Sequence, residues 1–219
     1  MSPREEVPGI NVYIQRGPID RKKRLLLITP DFIQFDDKNG PALSVRFKKN
    51  EIREYRFGIN WIKGFEFTIG REYVVFIRSS FDRTIKISFK TFYGVRKKEY
   101  HKLSNDILTF LWLFFFDDIT TKHYQAFQSG VDVVIGRATL TREAVTIKER
   151  GLLKDKETII RWEDLEIKEY YTYLAIFSTV DTLNAYATFS YLTEWNTGVL
   201  FSLINTILKN RKEVQRNPK

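Results

Sequence analysis

The sequence predicts a mainly β protein with a smaller helical share (α+β), built as two copies of one unit. Three observations predict it. RFKKNEIREY at 46–55 recurs as RWEDLEIKEY at 161–170. Short alternating apolar and polar stretches, bounded by turn residues, run through each half. Each half then ends in a stretch whose apolar residues fall at helical spacing.

The duplication extends beyond the opening match. ITPDFI at 28–33 matches LTREAV at 140–145. Residues 74–92 match 174–192 without a gap, so Ser88-Phe89 falls on Thr188-Phe189. Leu103, Ile107 and Leu108 fall on Leu203, Ile207 and Leu208. The first copy carries extra residues near 57–71. A repeat of this length is domain-sized, not a solenoid period. The expected domains are 10–116 and 124–212.

In the first copy, 1–9 reads as a polar tail and 10–15 as a strand. Gly17-Pro18 makes a turn, followed by the basic run Arg21, Lys22, Lys23, Arg24. Strands at 25–29 and 32–35 join at Pro30-Asp31, and Asn39-Gly40 is a hairpin signal. The strand at 42–47 puts Leu43, Val45 and Phe47 on one face, and the next, at 51–57, packs through Ile52, Tyr55 and Phe57. FGINWIKGFEFTIGR reads as an added or lengthened hairpin bearing Trp61. Strands at 73–78 and 84–89 follow; in the latter Ile85, Ile87 and Phe89 alternate with Lys86 and Ser88. A helix is expected over 97–116, with Tyr100, Leu103, Ile107 and Phe110/Leu111 on one face. Its last two turns, ending FLWLFFF, are apolar nearly all round and need cover on more than one side. The expected covers are its own sheet and the second unit. Residues 117–124 are the expected connection.

The second copy repeats the plan. The counterpart of its first strand is placed at 126–128, followed by strands at 131–141, 144–148, 157–162, 165–171, 173–179 and 184–190, with a turn at Arg150-Gly151. Thr193 or Asn196 caps a final helix to about residue 210, with Val199/Leu200, Leu203/Ile204 and Ile207/Leu208 as its stripe. Lys209, Arg211 and Lys212 complement its dipole, and 213–219 is a polar tail. Each unit is thus a bent antiparallel sheet or open barrel closed by one amphipathic C-terminal helix.

The chain carries a net charge of +9, and residues 1–116 hold the whole of that excess. Such asymmetry points to one module that meets an anionic partner. With no cysteine, disulfides, thiol nucleophiles and thiolate metal sites are excluded. The N-terminus lacks an apolar signal core, and the longest apolar run falls short of a membrane span. A cytoplasmic protein is expected, able to sit peripherally at the inner face of the membrane.

TIIRWEDLEI at 158–167 carries an apolar-x-Trp pair, an acidic turn and an Ile-rich strand. In this it resembles bacterial pleckstrin-homology-like (PH-like) domains, the superfamily that includes the GRAM domains. The preceding LTREAVTIKERGLLKDKETIIRW looks like that family's first hairpins. In the first copy Phe47 replaces Trp162, and Lys48-Lys49 replaces the acidic pair Glu163-Asp164. The shared motif, Phe47, Ile52 and Tyr55 against Trp162, Ile167 and Tyr170, is read as structural. The resemblance implies a non-catalytic module that binds lipid headgroups, peptides or proteins. Eukaryotic PH domains that bind phosphoinositides place Lys and Arg across the first hairpin. Here Asp31-Phe32-Ile33-Gln34-Phe35 has no basic residue, so those binding residues are not carried over.

The expected function is therefore binding without catalysis, to a protein partner or an anionic membrane surface. The candidate contact residues are Arg21, Lys22, Lys23, Arg24, Lys48 and Lys49, with Arg46, Arg53 and Arg56 nearby. No cofactor and no metal is expected: His101 and His123 stand without ligand spacing, and Asp117-Asp118 reads as a solvated connector. Glu51, Glu54, Glu166 and Glu169 recur in both copies, which points to structure: outward placement, or pairing with Arg53 and Lys168. The alternative class is a nucleic-acid-binding protein using the basic face of the first unit.

Overall fold

The computed structural model describes residues 9–37, 44–149 and 156–216. The turns expected at Asn39-Gly40 and Arg150-Gly151 lie outside the described residues, as do 1–8 and 217–219 of the expected tails. The chain divides into two compact units, Met1–Asp117 and Asp118–Lys219.

In the first unit, β1 (Ile10–Ile14), β2 (Arg24–Ile28), β3 (Phe32–Phe35) and β4 (Val45–Lys48) form a four-stranded antiparallel sheet in sequence order. A single 3-10 turn at Lys49–Glu51 leads to β5 (Ile52–Lys63), β6 (Thr68–Ser79) and β7 (Thr84–Phe92), a three-stranded antiparallel sheet. Helix α1 (Lys97–Leu111) follows. The period-2 pattern explains the core. Leu26, Ile28, Ile33, Phe35 and Phe47 are buried, while Arg46 and Lys48 between them are exposed. Tyr73, Ile77, Ile85, Ile87 and Phe89 do the same in the second sheet. Helix α1 buries Tyr100, Ser104, Ile107 and Leu111, one face at 3.6-residue spacing. Tyr100 meets the edge of Phe89 at 5.3 Å.

The second unit has the same order. Strands β8 (Val133–Ile135), β9 (Ala138–Leu140), β10 (Ala144–Glu149) and β11 (Lys156–Arg161) form one meander. Strands β12 (Leu165–Glu169), β13 (Tyr173–Ser178) and β14 (Tyr186–Ser190) form a second. The last helix of the chain spans Thr197–Arg216. Among the described residues no sheet closes into a barrel.

Several boundaries correct the sequence reading. The helix expected over 97–116 passes after Leu111 into a π-helical turn, Trp112–Phe116, with Phe114, Phe115 and Phe116 all buried. Phe116 stacks on Tyr55 of β5 at 3.4 Å between centroids. The expected connection at 117–124 and the strand counterpart at 126–128 are instead one helix, α2 (Asp117–Gln128). The physical reason is plain: no Gly or Pro occurs between Val95 and Gly130, so nothing stops the helix before Gly130, at φ 86°. The counterpart of β1 is therefore β8, and the single strand expected over 131–141 splits at Gly136, at φ 57°. The strand expected to end at Tyr171 ends at Glu169. The final helix, now α3, continues past 210 to Arg216.

Matched hydrogen bonds recur in the two units. Thr29 Oγ1 accepts the Phe32 N–H at 3.2 Å and donates to the Phe32 carbonyl at 3.2 Å. Thr141 Oγ1 does the same with Ala144, both at 3.1 Å. Lys49 donates its N–H to the Asp31 carbonyl as Trp162 does to Glu143, and Ser80 to Glu51 as Thr179 does to Asp164. Before the helices, Arg96 and Asn196 share a left-handed backbone, at φ 55° and 59°. Tyr100 and Leu200 donate to their carbonyls. By these bonds Lys49 holds the place of Trp162, and Glu51 that of Asp164. The recurring motif at 46–55 and 161–170 is out of step with the ladders by two residues. A slip of two keeps every side chain on its own face, so alternation alone cannot expose it. Tyr55 is buried, whereas Tyr170 is 38% exposed at the β12–β13 turn and stacks on Tyr173. Ile52 is buried opposite Ser79, while Ile167 is half-buried opposite Ile176.

Candidate functional site

The β1–β2 connection of the first unit is a built structure centred on Asp20. Its carboxylate accepts the Arg16 N–H at 2.9 Å and the Lys22 N–H at 3.0 Å, and pairs with the Arg24 guanidinium at 2.5 Å. Gln15 Nε2 donates to the Asp20 carbonyl at 2.9 Å. Burial pushes the Asp20 carboxyl up, but the N–H donors of Lys22 and Arg16 and the Arg24 guanidinium outweigh it and hold it below the ordinary carboxylate range. Arg16 also pairs with Asp37 at 2.6 Å. Its carbonyl accepts the Lys90 N–H at 2.9 Å, which fixes the connection against β7.

Between this connection and the β6–β7 surface lies a cleft of about 900 Å³. Lys22, Lys86 and Lys90 line it with Ser88, and Ile19, Tyr93 and Val95 line it with apolar surface. Lys86, Ser88 and Lys90 share one face of β7, the polar half of its alternation. Lys90 lies 3.6 Å from Glu72, its neighbour in the ladder. Lys86 lies 5.5 Å from the Phe76 ring, which also carries the Arg56 guanidinium at 4.5 Å.

The structure sorts the six expected contact residues. Arg21, Lys22 and Lys23 are exposed. Arg24 is not a surface cation: it is 1% exposed, locked to Asp20 and 3.7 Å from Asp37. It opens β2 on the inward face, where only a paired charge can be buried. Lys48 and Lys49 lie at the other end of the four-stranded sheet. Leu26 pairs with Phe35, and Phe32 pairs with Lys48, so they stand roughly 16 Å from the level of Arg24. Lys48 and Lys49 begin a capped 3-10 turn in which Glu51 accepts the Lys48 N–H at 2.7 Å. The motif residues Phe47, Ile52, Tyr55 and Trp162 are core. Trp162 donates its indole N–H to the Thr141 carbonyl at 2.9 Å and packs edge-on against Phe127.

Glu54 pairs across the ladder with Arg78, and Glu169 accepts the Tyr191 hydroxyl at 2.9 Å. His101 stands 6.1 Å from the Tyr73 ring. Among the described residues no group of three or more His, Asp or Glu side chains could hold a metal ion, and no helix is long and apolar enough to cross a membrane. Sequence reasoning missed Lys86 and Lys90 as site residues. Their alternation with Ile85, Ile87 and Phe89 was the available signal. No protein-family model matches the chain, and no curated protein matches it.

Proposed function

We propose that the chain is a tandem pair of PH-like modules with a binding function and no catalysis, and that its first unit attaches peripherally to an anionic membrane surface. The observation that carries this is the exposed run Arg21, Lys22 and Lys23 beside the lysine-lined cleft, in the half that holds the whole charge excess. The PH-like reading is supported by the plan of each unit: a four-stranded meander, a three-stranded meander and a C-terminal helix. A binding role is supported by the carboxylates of the cleft, which are held in ion pairs, Asp20 with Arg24 and Glu72 with Lys90. In a cell this reading places the protein at the cytoplasmic face of a membrane, where the leaflet is negative. Each basic residue near such a surface contributes about 1 kcal/mol, so three give weak, salt-sensitive attachment.

Cosedimentation with phosphatidylcholine vesicles, with and without phosphatidylserine, at low and high salt tests this. The native protein should bind only the anionic vesicles, and less at high salt. Reversing Arg21, Lys22 and Lys23 to Glu should weaken binding roughly a hundredfold or more. Lys48→Ala/Lys49→Ala, at the far end of the sheet, should leave it unchanged. Absence of binding to anionic vesicles would sink the membrane reading and point to an acidic protein surface as the partner.

A further inference from the structure

The β5–β6 hairpin outruns its sheet. Gly70 is the last β6 residue that β7 can pair, opposite Phe92. Beyond it Lys63 pairs with Thr68, and the turn closes with Gly64 donating its N–H to the Phe67 carbonyl at 2.7 Å. This tip of the first unit presents aromatic rings to solvent. Phe65 is 108% exposed, Phe67 66% and Trp61 43%. Tyr93, also exposed, donates its N–H to the Ile69 carbonyl at 2.8 Å, which sets it at the base of the hairpin. Tyr93 and Val95 share the cleft with Ile19, itself 93% exposed. One end of the unit therefore gathers apolar side chains that the fold leaves uncovered. The second unit has no such extension: β12 and β13 are joined directly after Glu169, with Tyr170 donating its N–H to the Tyr173 carbonyl.

Cations flank this apolar end, and the exposed carboxylate of Glu66 sits between its two phenylalanines. Lys63 is exposed in the hairpin, the Arg71 guanidinium lies over the Trp61 ring at 4.6 Å, and Arg21, Lys22 and Lys23 stand on the neighbouring connection. Apolar tips with a basic collar complement an anionic bilayer, whose charged headgroups lie over hydrocarbon. Aromatic side chains with a polar edge, such as Trp61 and Tyr93, favour that boundary. The tip projects roughly 7–10 Å past the last three-strand row, about the depth to which interfacial segments enter.

We propose that the lengthened β5–β6 hairpin is a membrane-inserting wedge, with Phe65 and Phe67 entering the acyl region of an anionic bilayer and Trp61 settling at the headgroup boundary. The proposal rests on the membrane-surface reading above and adds to it the segment that penetrates.

The test uses the full chain and phosphatidylcholine–phosphatidylserine vesicles whose acyl chains carry bromine, a contact quencher of tryptophan. Emission should fall on binding, and the part lost should be absent in Trp61→Phe. Phe65→Ser/Phe67→Ser changes exposed residues only, so its unfolding transition should match the native protein while vesicle affinity drops roughly tenfold or more. Two results overturn the wedge, and they differ. Binding with unquenched Trp61 and an unaffected double variant would leave surface attachment standing without insertion. No binding to anionic vesicles would remove both the wedge and the reading it rests on, as expected if the aromatic tip docks on a protein.

Discussion

The two units share a skeleton and differ in what they hang on it. Both turn from their second strand to their third on a threonine whose hydroxyl bonds three residues ahead, Thr29 and Thr141. Both enter their last helix from a left-handed residue, Arg96 and Asn196. Both clamp the end of their third strand with an arginine. Asp37 pairs with Arg16 and lies near Arg24, and Glu149 pairs with Arg137 at 2.7 Å. What differs is function-like surface. The first unit has the longer hairpin, the exposed basic run and the cleft. In the second, Arg137 also binds Glu194 at 2.9 Å, so one arginine there holds two carboxylates. The comparison teaches that the shared bonds are those the fold needs, and that residues unique to one unit are where a specific activity should be sought.

The comparison can be broken most decisively at Trp162. This residue is 3% exposed, and truncation to Ala should cost about 3–5 kcal/mol through the cavity it leaves. Hydrogen exchange should show protection falling in β8–β14 and holding in β1–β7. An unchanged unfolding midpoint would remove the structural reading of that motif.

A smaller loss, about 2–3 kcal/mol, is expected for Asp20→Asn, which removes the close negative charge from buried Arg24 and leaves it the Lys22 carbonyl at 3.0 Å and Asp37 at 3.7 Å. The pH dependence follows from the same pair. Asp20 is held below its ordinary value when folded. Its stabilisation is therefore complete above the unfolded carboxylate value, about 3.9, and is lost as pH falls through the lower folded value. Acid unfolding of Asp20→Asn should lack that contribution, and a variant whose acid limb matches the native one would contradict the assigned pairing.

The mildest test asks whether the matched turns are equivalent. Thr29→Val and Thr141→Val each delete one donor and one acceptor. Each should cost about 1 kcal/mol, and by closely similar amounts. Urea unfolding of both variants decides it; a cost confined to one would mean that the shared geometry does not do shared work.

Much of this was legible in the residues. Alternation located most strands, and the excess residues near 57–71 announced the longer hairpin and its Trp61. Four things were not legible, each for a physical reason. Register was hidden because the motif identity is displaced by two residues, and a period-2 pattern is blind to that. The helix at Asp117–Gln128 was hidden because Asp, Thr and His resemble linker composition, while the telling feature was the lack of any Gly or Pro. Arg24 reads in the sequence as a surface charge because its neighbours are, and only the position of Asp20 and Asp37 in space shows that it points inward. The exposed Phe65 and Phe67 could not be told from core phenylalanines by composition, since the fold also buries Phe35, Phe47 and Phe89.

Among the described residues, every ladder in both units joins strands that follow one another in the chain. Nearly all pairing is therefore local, which favours rapid folding. On a ribosome adding roughly 5–20 residues per second, the seven strands and helix α1 of the first unit are complete several seconds before the last helix is made. The amino-terminal module can acquire its cleft, its ion pairs and its aromatic tip while the other half of the polypeptide is still being synthesised.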